Sequence, residues 1–185
     1  PFQWVIDPLD GTTNYVHGVP LYSISVALME GEKVVLGIVY EVCRQECFYS
    51  FGNRTSYLNG KEIRVSSVSP LQNGLLVTGF PYSNFTRITP YLDLFRYLLE
   101  RSQGMRRLGS AAADLAYVAC GRFEGFYEYN LNPWDVAAGA FIVEQAGGKV
   151  SDFKGGNQYI FGQEIVAAND AVYPELMEAV RRFFP

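Results

Sequence analysis

Trp4-Val5-Ile6-Asp7-Pro8-Leu9-Asp10-Gly11-Thr12-Thr13-Asn14 opens the chain with an apolar run that ends in a carboxylate, followed three residues later by a second. The run reads as a buried strand. Pro8 is expected to end it, because proline has no N–H for a ladder and its φ is fixed. Asp7 and Asp10 then sit on a tight turn at a strand's carboxyl end, where open α/β sheets place their ligands. Gly11 has no Cβ and allows close backbone approach. Thr12 and Thr13 add hydroxyls and amides of the kind that face phosphate in a backbone nest. Two carboxylates at this spacing suit hard divalent cations, and the Leu9 carbonyl offers a further oxygen. Asp-Pro and Asp-Gly alone are ordinary turn dipeptides. The whole run is much harder to explain as a plain turn.

The bulk properties narrow the class. The chain has 185 residues, 49% of them hydrophobic, which suffices for one globular core. A net charge of −4 argues against a general nucleic-acid binder, which needs a basic patch. An acidic protein still binds phosphate where metal ions reverse the local field. No apolar stretch is long enough for a membrane helix, and no signal peptide stands at the start of this sequence. A cytoplasmic protein is expected, with no nucleic acid or membrane as partner. Cys43, Cys47 and Cys120 cannot all pair. With no His or Cys partner nearby they make a poor zinc site, so reduced, buried thiols are expected.

Along the chain the first part reads as β-rich. Strands are expected at Tyr22–Met29, Val34–Tyr40 and Glu46–Phe51, with Asn59-Gly60 turning into Ile63-Arg64-Val65. His17 is the one histidine and invites a base role, but metal-bound water makes that unnecessary; a histidine packing the turn is preferred. Leu75–Thr78 reads as a buried strand. Thr89 is expected as N-cap of a helix with Pro90 in its first turn and Leu92, Phe95, Leu98 and Leu99 on its apolar face. Met105–Leu108 reads as a strand whose Arg106 and Arg107 are taken as solvated or carboxylate-paired. Ser110 caps a helix over Ala111–Cys120 that Gly121 stops, and its free amides would suit an anion or a substrate hydroxyl. A strand over Arg122–Tyr129 and a helix from Pro133 through Ala146 follow, the latter burying Val136, Ala140, Phe141 and Val143. Strands at 149–151 and 165–168 precede a closing helix, Val172–Phe184, with Leu176, Val180 and Phe183 on one face. Nothing marks a linker or a repeat, so residues 1–185 read as one domain, with possible subregions at about 1–70 and 71–185.

Asp7-Pro8-Leu9-Asp10-Gly11-Thr12-Thr13-Asn14 resembles the first signature of the inositol monophosphatase family. Trp134-Asp135-Val136-Ala137-Ala138-Gly139, followed by Glu144-Gln145-Ala146-Gly147-Gly148, resembles the second. The likeness covers essentially the whole chain in order, and Thr13-Asn14-Tyr15-Val16-His17-Gly18 is similar to the inositol-phosphatase branch. The haloacid-dehalogenase pattern has one residue between its aspartates, not two, and is set aside. Asp135 alone would read as a first-turn aspartate stabilised by the helix dipole; beside Trp134 and with the first signature present it reads as a third metal carboxylate.

The resemblance implies an α/β (α+β layered) sugar-phosphatase fold, a layered αβαβα sandwich whose N-terminal helical part, with a metal-binding Gly-Glu-Glu type motif, is expected to be missing here. It implies hydrolysis of a phosphate monoester on a small polyol, inositol 1-monophosphate first, with two or more Mg2+ ions held by Asp7, Leu9, Asp10 and Asp135. Thr12 and Asp7 are the implied catalytic residues, Thr12 orienting water together with that glutamate. Substrate contacts are implied for Asp10, Gly11, Thr12, Gly109, Ser110, Ala111, Glu128 and Asp135, with Asp10, Ala111 and Glu128 on the polyol hydroxyls. A homodimer is implied as well. Fructose bisphosphate or another sugar phosphate is the alternative substrate, and a non-catalytic regulatory or partner-binding relative the alternative role.

Overall fold

The computed structural model describes residues 1–52, 55–82 and 84–185. The first part of the chain forms a six-stranded antiparallel meander in chain order: β1 (Phe2–Asp10), β2 (Ser23–Glu30), β3 (Lys33–Glu41), β4 (Glu46–Phe51), β5 (Ser56–Leu58) and β6 (Lys61–Ile63). A short helix, α1 (Thr12–Val16), follows β1 directly. Asn59 and Gly60, at φ 48° and 82°, make the two-residue turn between β5 and β6. Left-handed φ at both positions matches the twist of the flanking strands, which is why Asn-Gly serves there. The strand after it is Lys61–Ile63 and not Ile63–Val65.

β1 departs from expectation in an informative way. Pro8 does not end it. The ladder with β2 runs Asp7 to Ser25 and Asp10 to Ser23, so three steps on β1 face two on β2. This is a β-bulge, one of the few places where a strand tolerates proline, because the bulged residue is not needed in the ladder. In a regular strand residues three apart point to opposite faces. The extra residue cancels that alternation and turns Asp7 and Asp10 towards the same side. Nor is the apolar run buried: Val5 is, but Trp4 and Ile6 are more than half exposed.

The second sheet has the order β10-β11-β9-β7-β8, from β7 (Leu75–Thr78), β8 (Gly104–Arg106), β9 (Gly125–Tyr129), β10 (Lys149–Ser151) and β11 (Glu164–Ala168). β7 is parallel to β8 and β9, while β11 pairs antiparallel with β9 and β10. Helices α3 (Ala111–Ala119) and α4 (Pro133–Gln145) lie between the sheets, and their Ala-rich sides join Val39 and Phe48 of one sheet to Val77, Phe126 and Ile165 of the other. Gly37 allows the close approach: a Cβ there would lie 2.7 Å from the Ala138 carbonyl oxygen. Helices α2 (Ile88–Leu99) and α5 (Tyr173–Phe183) cover the far face of the second sheet, through Leu76, Tyr127, Val166 and Leu176. The chain thus stacks helix, sheet, helix and sheet, the layered α/β architecture expected.

Local signals placed most boundaries. β4 and β10 match the expected strands, Ser110 caps α3 by accepting from Ala113 N, and Gly121 follows its end at φ 76°. α2 is the exception. Its N-cap is Arg87, so Thr89 lies inside the first turn, and the buried face is Tyr91, Leu94 and Leu98, with Leu92 and Leu99 exposed. The helix is apolar on more than one side, and contact with α5 and the sheet, not periodicity, selects the side that is buried. β9 also starts later than Arg122, whose guanidinium pairs with both oxygens of Glu46 at 2.6 Å.

Candidate functional site

A cavity of about 380 Å³ opens where the end of β1, the start of α1, the N-termini of α3 and α4 and the end of β9 converge. Asp7, Leu9, Asp10, Gly11, Thr12, Gly109, Ser110, Ala111, Glu128 and Asp135 all line it. The residues singled out in the sequence are therefore gathered at one place, from both sheets and both inner helices.

Each aspartate is anchored by its own surroundings. Asp7 Oδ1 accepts from Leu9 N at 2.9 Å across the bulge. Asp10 Oδ2 accepts from Ser110 Oγ at 2.7 Å and from Ala112 N at 2.8 Å, which ties β1 to the start of α3. Ser110 spends its one proton on Asp10, so the 2.9 Å contact with Ser23 Oγ is donated by Ser23. Asp135 Oδ2 accepts from Asn132 N at 2.7 Å, the return half of a capping box at the head of α4. Ser25 Oγ donates to Trp134 O at 2.9 Å and holds that helix end to β2. So fixed, Asp7, Asp10 and Asp135 each offer a carboxylate oxygen within 4.8 Å of one another.

Such crowding has an electrostatic consequence. Burial pushes the Asp10 carboxyl up to about 7, against the Ser110 and Ala112 hydrogen bonds, and the negative charges of Asp135 and Asp7 add to the rise. Burial also raises Asp135, opposed by the Asn132 amide and reinforced by Asp7. Glu128 is raised by burial and then by Asp10 and Asp135. Three converging carboxylates that repel one another are a donor set that a hard divalent cation fits, since its charge reverses the repulsion. Leu9 O lies at the same rim and accepts from Thr12 Oγ1 at 2.9 Å.

The structure corrects or extends several expectations. His17 is exposed at the C-terminal cap of α1, outside the cavity lining. Arg106 is exposed, as expected, but Arg107 is only half-exposed and among the described residues forms no carboxylate ion pair: it lines the cavity, donates to the Tyr82 hydroxyl, and lies 5.5 Å from the Phe80 ring centre and 5.3 Å from that of Tyr82. Asn14, missed in the sequence, is buried and donates to Leu21 O and Leu108 O, each at 2.8 Å, pinning α1 to the loop before α3. Gly79 was missed too; a Cβ there would come within 2.0 Å of the Glu128 carboxylate. Asn132 three residues before Asp135 was legible as a cap signal. Asp114 carried no such mark; it is wholly buried on α3, and burial holds its carboxyl well above the usual range. The three cysteines are free, but Cys43 is exposed and the other two only half-buried. Among the described residues no helix is long and apolar enough to cross a membrane.

The model of the inositol monophosphatase family matches residues 1–183. A Pseudomonas aeruginosa protein named Nus factor SuhB is 42% identical over 186 residues, covering all of this chain and 69% of that protein. The extragenic suppressor protein suhB of Bartonella henselae is 38% identical with a TM-score of 0.93, over 98% of this chain and 70% of the other. An inositol monophosphatase from Anabaena is 40% identical with a TM-score of 0.91, over 98% and 72%.

Proposed function

The chain belongs to the inositol monophosphatase family, and we propose that it carries the reaction site of a magnesium-dependent phosphatase that hydrolyses the monoester of a small polyol, inositol 1-monophosphate first. The observation that carries this reading is the convergence of Asp7, Asp10 and Asp135 within 4.8 Å at the wall of a cavity of ligand size. Two or more magnesium ions held by these carboxylates and the Leu9 carbonyl would neutralise phosphate charge and make a water acidic enough to attack at neutral pH.

The chain's own groups do the remaining work. Thr12 Oγ1 gives its proton to Leu9 O, so its lone pairs are free to accept from the attacking water and aim it. Asp7, adjoining, helps set the same geometry. The backbone N–H groups of Gly11 and Thr12 take the phosphate oxygens as charge develops on them. Asp10, Ala111 and Glu128 take polyol hydroxyls, and Gly109 and Ser110 present the start of α3 to the substrate. Burying these polar groups makes a mismatched ester costly, because it leaves them unpaired. A homodimer, as the resemblance implies, is part of the reading.

The alternative substrate is fructose bisphosphate or another sugar phosphate. A second role is favoured by one finding: a relative 42% identical to this chain is named a Nus factor, which supports a regulatory or partner-binding function. A phosphate-release panel with the full-length protein separates these. Inositol 1-phosphate is expected to be cleaved in magnesium and not in chelator. Asp135→Asn should lower turnover by roughly 100- to 1,000-fold with the melting temperature retained. A folded protein that releases phosphate from no ester would transfer the reading to partner binding.

A further inference from the structure

Two groups at the cavity have no part in the chemistry above. Asp114 lies one helical turn beyond Ser110 on α3, its N–H bonded to Ser110 O at 2.9 Å, so both residues face the cavity from the same side of the helix. The rest of α3 is alanine, leucine, valine and one tyrosine, all buried. Asp114 is 1% exposed, yet its Oδ1 has no hydrogen-bond partner. Arg107 Nε, also buried, likewise has none. Among the described residues no ion pair within 4.0 Å joins Arg107 to Asp114 or to Glu128; its charge opposes the rise of both carboxyls from a longer distance and satisfies neither unpartnered atom. Buried polar atoms without a protein partner are rare enough to demand one from elsewhere.

The chemistry of the wall selects that partner. A second anionic group would meet Asp114, Glu128 and Asp10 and be repelled. An apolar group would leave both atoms unpaired. A hydroxyl donates one hydrogen bond and accepts others, and so answers a carboxylate oxygen and a guanidinium N–H at once. We propose that Asp114, with Arg107 beside it, is a specificity-determining residue that reads a hydroxyl of the substrate, adding a second carboxyl contact to that of Glu128. This rests on the polyol-phosphate reading and sharpens it: the site selects esters whose carbon skeleton carries hydroxyls on the side that faces α3.

The test compares wild-type full-length protein with Asp114→Asn, which keeps the shape of the side chain. Asp114→Ala serves as a second variant that an alanine-rich helix tolerates. The probes are myo-inositol 1-phosphate and p-nitrophenyl phosphate, which has no aliphatic hydroxyl, with phosphate release and calorimetric binding both measured in magnesium. The ratio of kcat/KM for the polyol ester to that for the aryl ester should fall about 10- to 100-fold, the loss appearing mainly in KM and in binding. An equal loss on both esters would assign Asp114 a purely structural role, and no loss on either would remove it from the site; either overturns the proposal. Should the wild type bind the polyol ester without cleaving it, the phosphatase reading falls. Asp114-dependent binding would then still support the hydroxyl contact, and Asp114-independent binding would overturn it. A wild type that neither binds nor cleaves the polyol ester overturns both.

Discussion

The two sheets are built from equally apolar strands, yet they end in different surroundings. Every residue of β9, at the centre of the five-stranded sheet, is buried. On β1, at the edge of the six-stranded sheet, Phe2, Trp4 and Ile6 are 67%, 57% and 51% exposed. The registers continue that outward face across the sheet: Trp4 stands opposite Leu28, which faces Leu36 and then Phe51, and Ile6 leads through Val26 and Ile38 to Tyr49. Helices α3 and α4 take the inner faces of both sheets, and α2 and α5 the outer face of one. An apolar pattern therefore records that a face is fit to be covered. Whether anything in the described residues covers it is a separate fact. The candidate site lies between the two regions, with Asp7 and Asp10 from the half-covered sheet, Glu128 from the covered one, and Asp135 from a helix that touches both.

Stability measurements test the contrast between the covered and uncovered faces. Leu94→Ala, at the covered outer face, should cost about 2–5 kcal/mol in chemical denaturation, while Leu92→Ala on the same helix stays within about 0.5 kcal/mol. Equal losses would mean that α2 buries a different side. A second test addresses the boundary itself. The folded-state pKa of Asp10 is raised to about 7, and that of Asp135 is raised in the same direction. Below the unfolded-state value near 4 the two states hold the same protons there. As pH rises towards and through 7 the folded state binds more protons than the unfolded one, so its stability declines. The melting temperature of metal-free protein should fall over that interval, and magnesium should reverse the fall, its effect growing with pH as protons cease to compete. A flat metal-free profile would show that these carboxyls are not crowded as described. The smallest effect is expected on the bare face: Trp4→Ser with Ile6→Thr should change unfolding free energy by about 0.5 kcal/mol or less, while reducing self-association in sedimentation velocity. A loss of several kcal/mol would mean that the face is covered after all.

Much of the site was legible because its signals are short. Two carboxylates and a threonine beside a strand end, a serine before an alanine-rich helix and a proline at the start of α4 each depend on neighbours within one turn of chain. The place of Arg107 is not legible locally, because nothing next to it in the sequence announces Phe80, Tyr82 or the cavity they share. Pro8 by itself signals a strand end, because the bulge that accommodates it exists only relative to the partner strand. The apolar face of α2 was misplaced because the helix offers more than one, and only its docking partners choose between them.

Legible in the chain alone are the family, most of the element order, the serine cap of α3, the proline start of α4 and the three carboxylates. These follow from local sterics and hydrogen bonding, which act over a few residues and leave a readable pattern. Tertiary packing alone sets that Asp7 and Asp10 face one way, that Asp135 meets them there, that Asp114 and Arg107, each with an unpartnered buried atom, line the same cavity, and that among the described residues nothing covers one sheet face. Those outcomes depend on which distant surfaces exclude water from one another. No stretch of sequence contains that information alone, because desolvation belongs to pairs of surfaces.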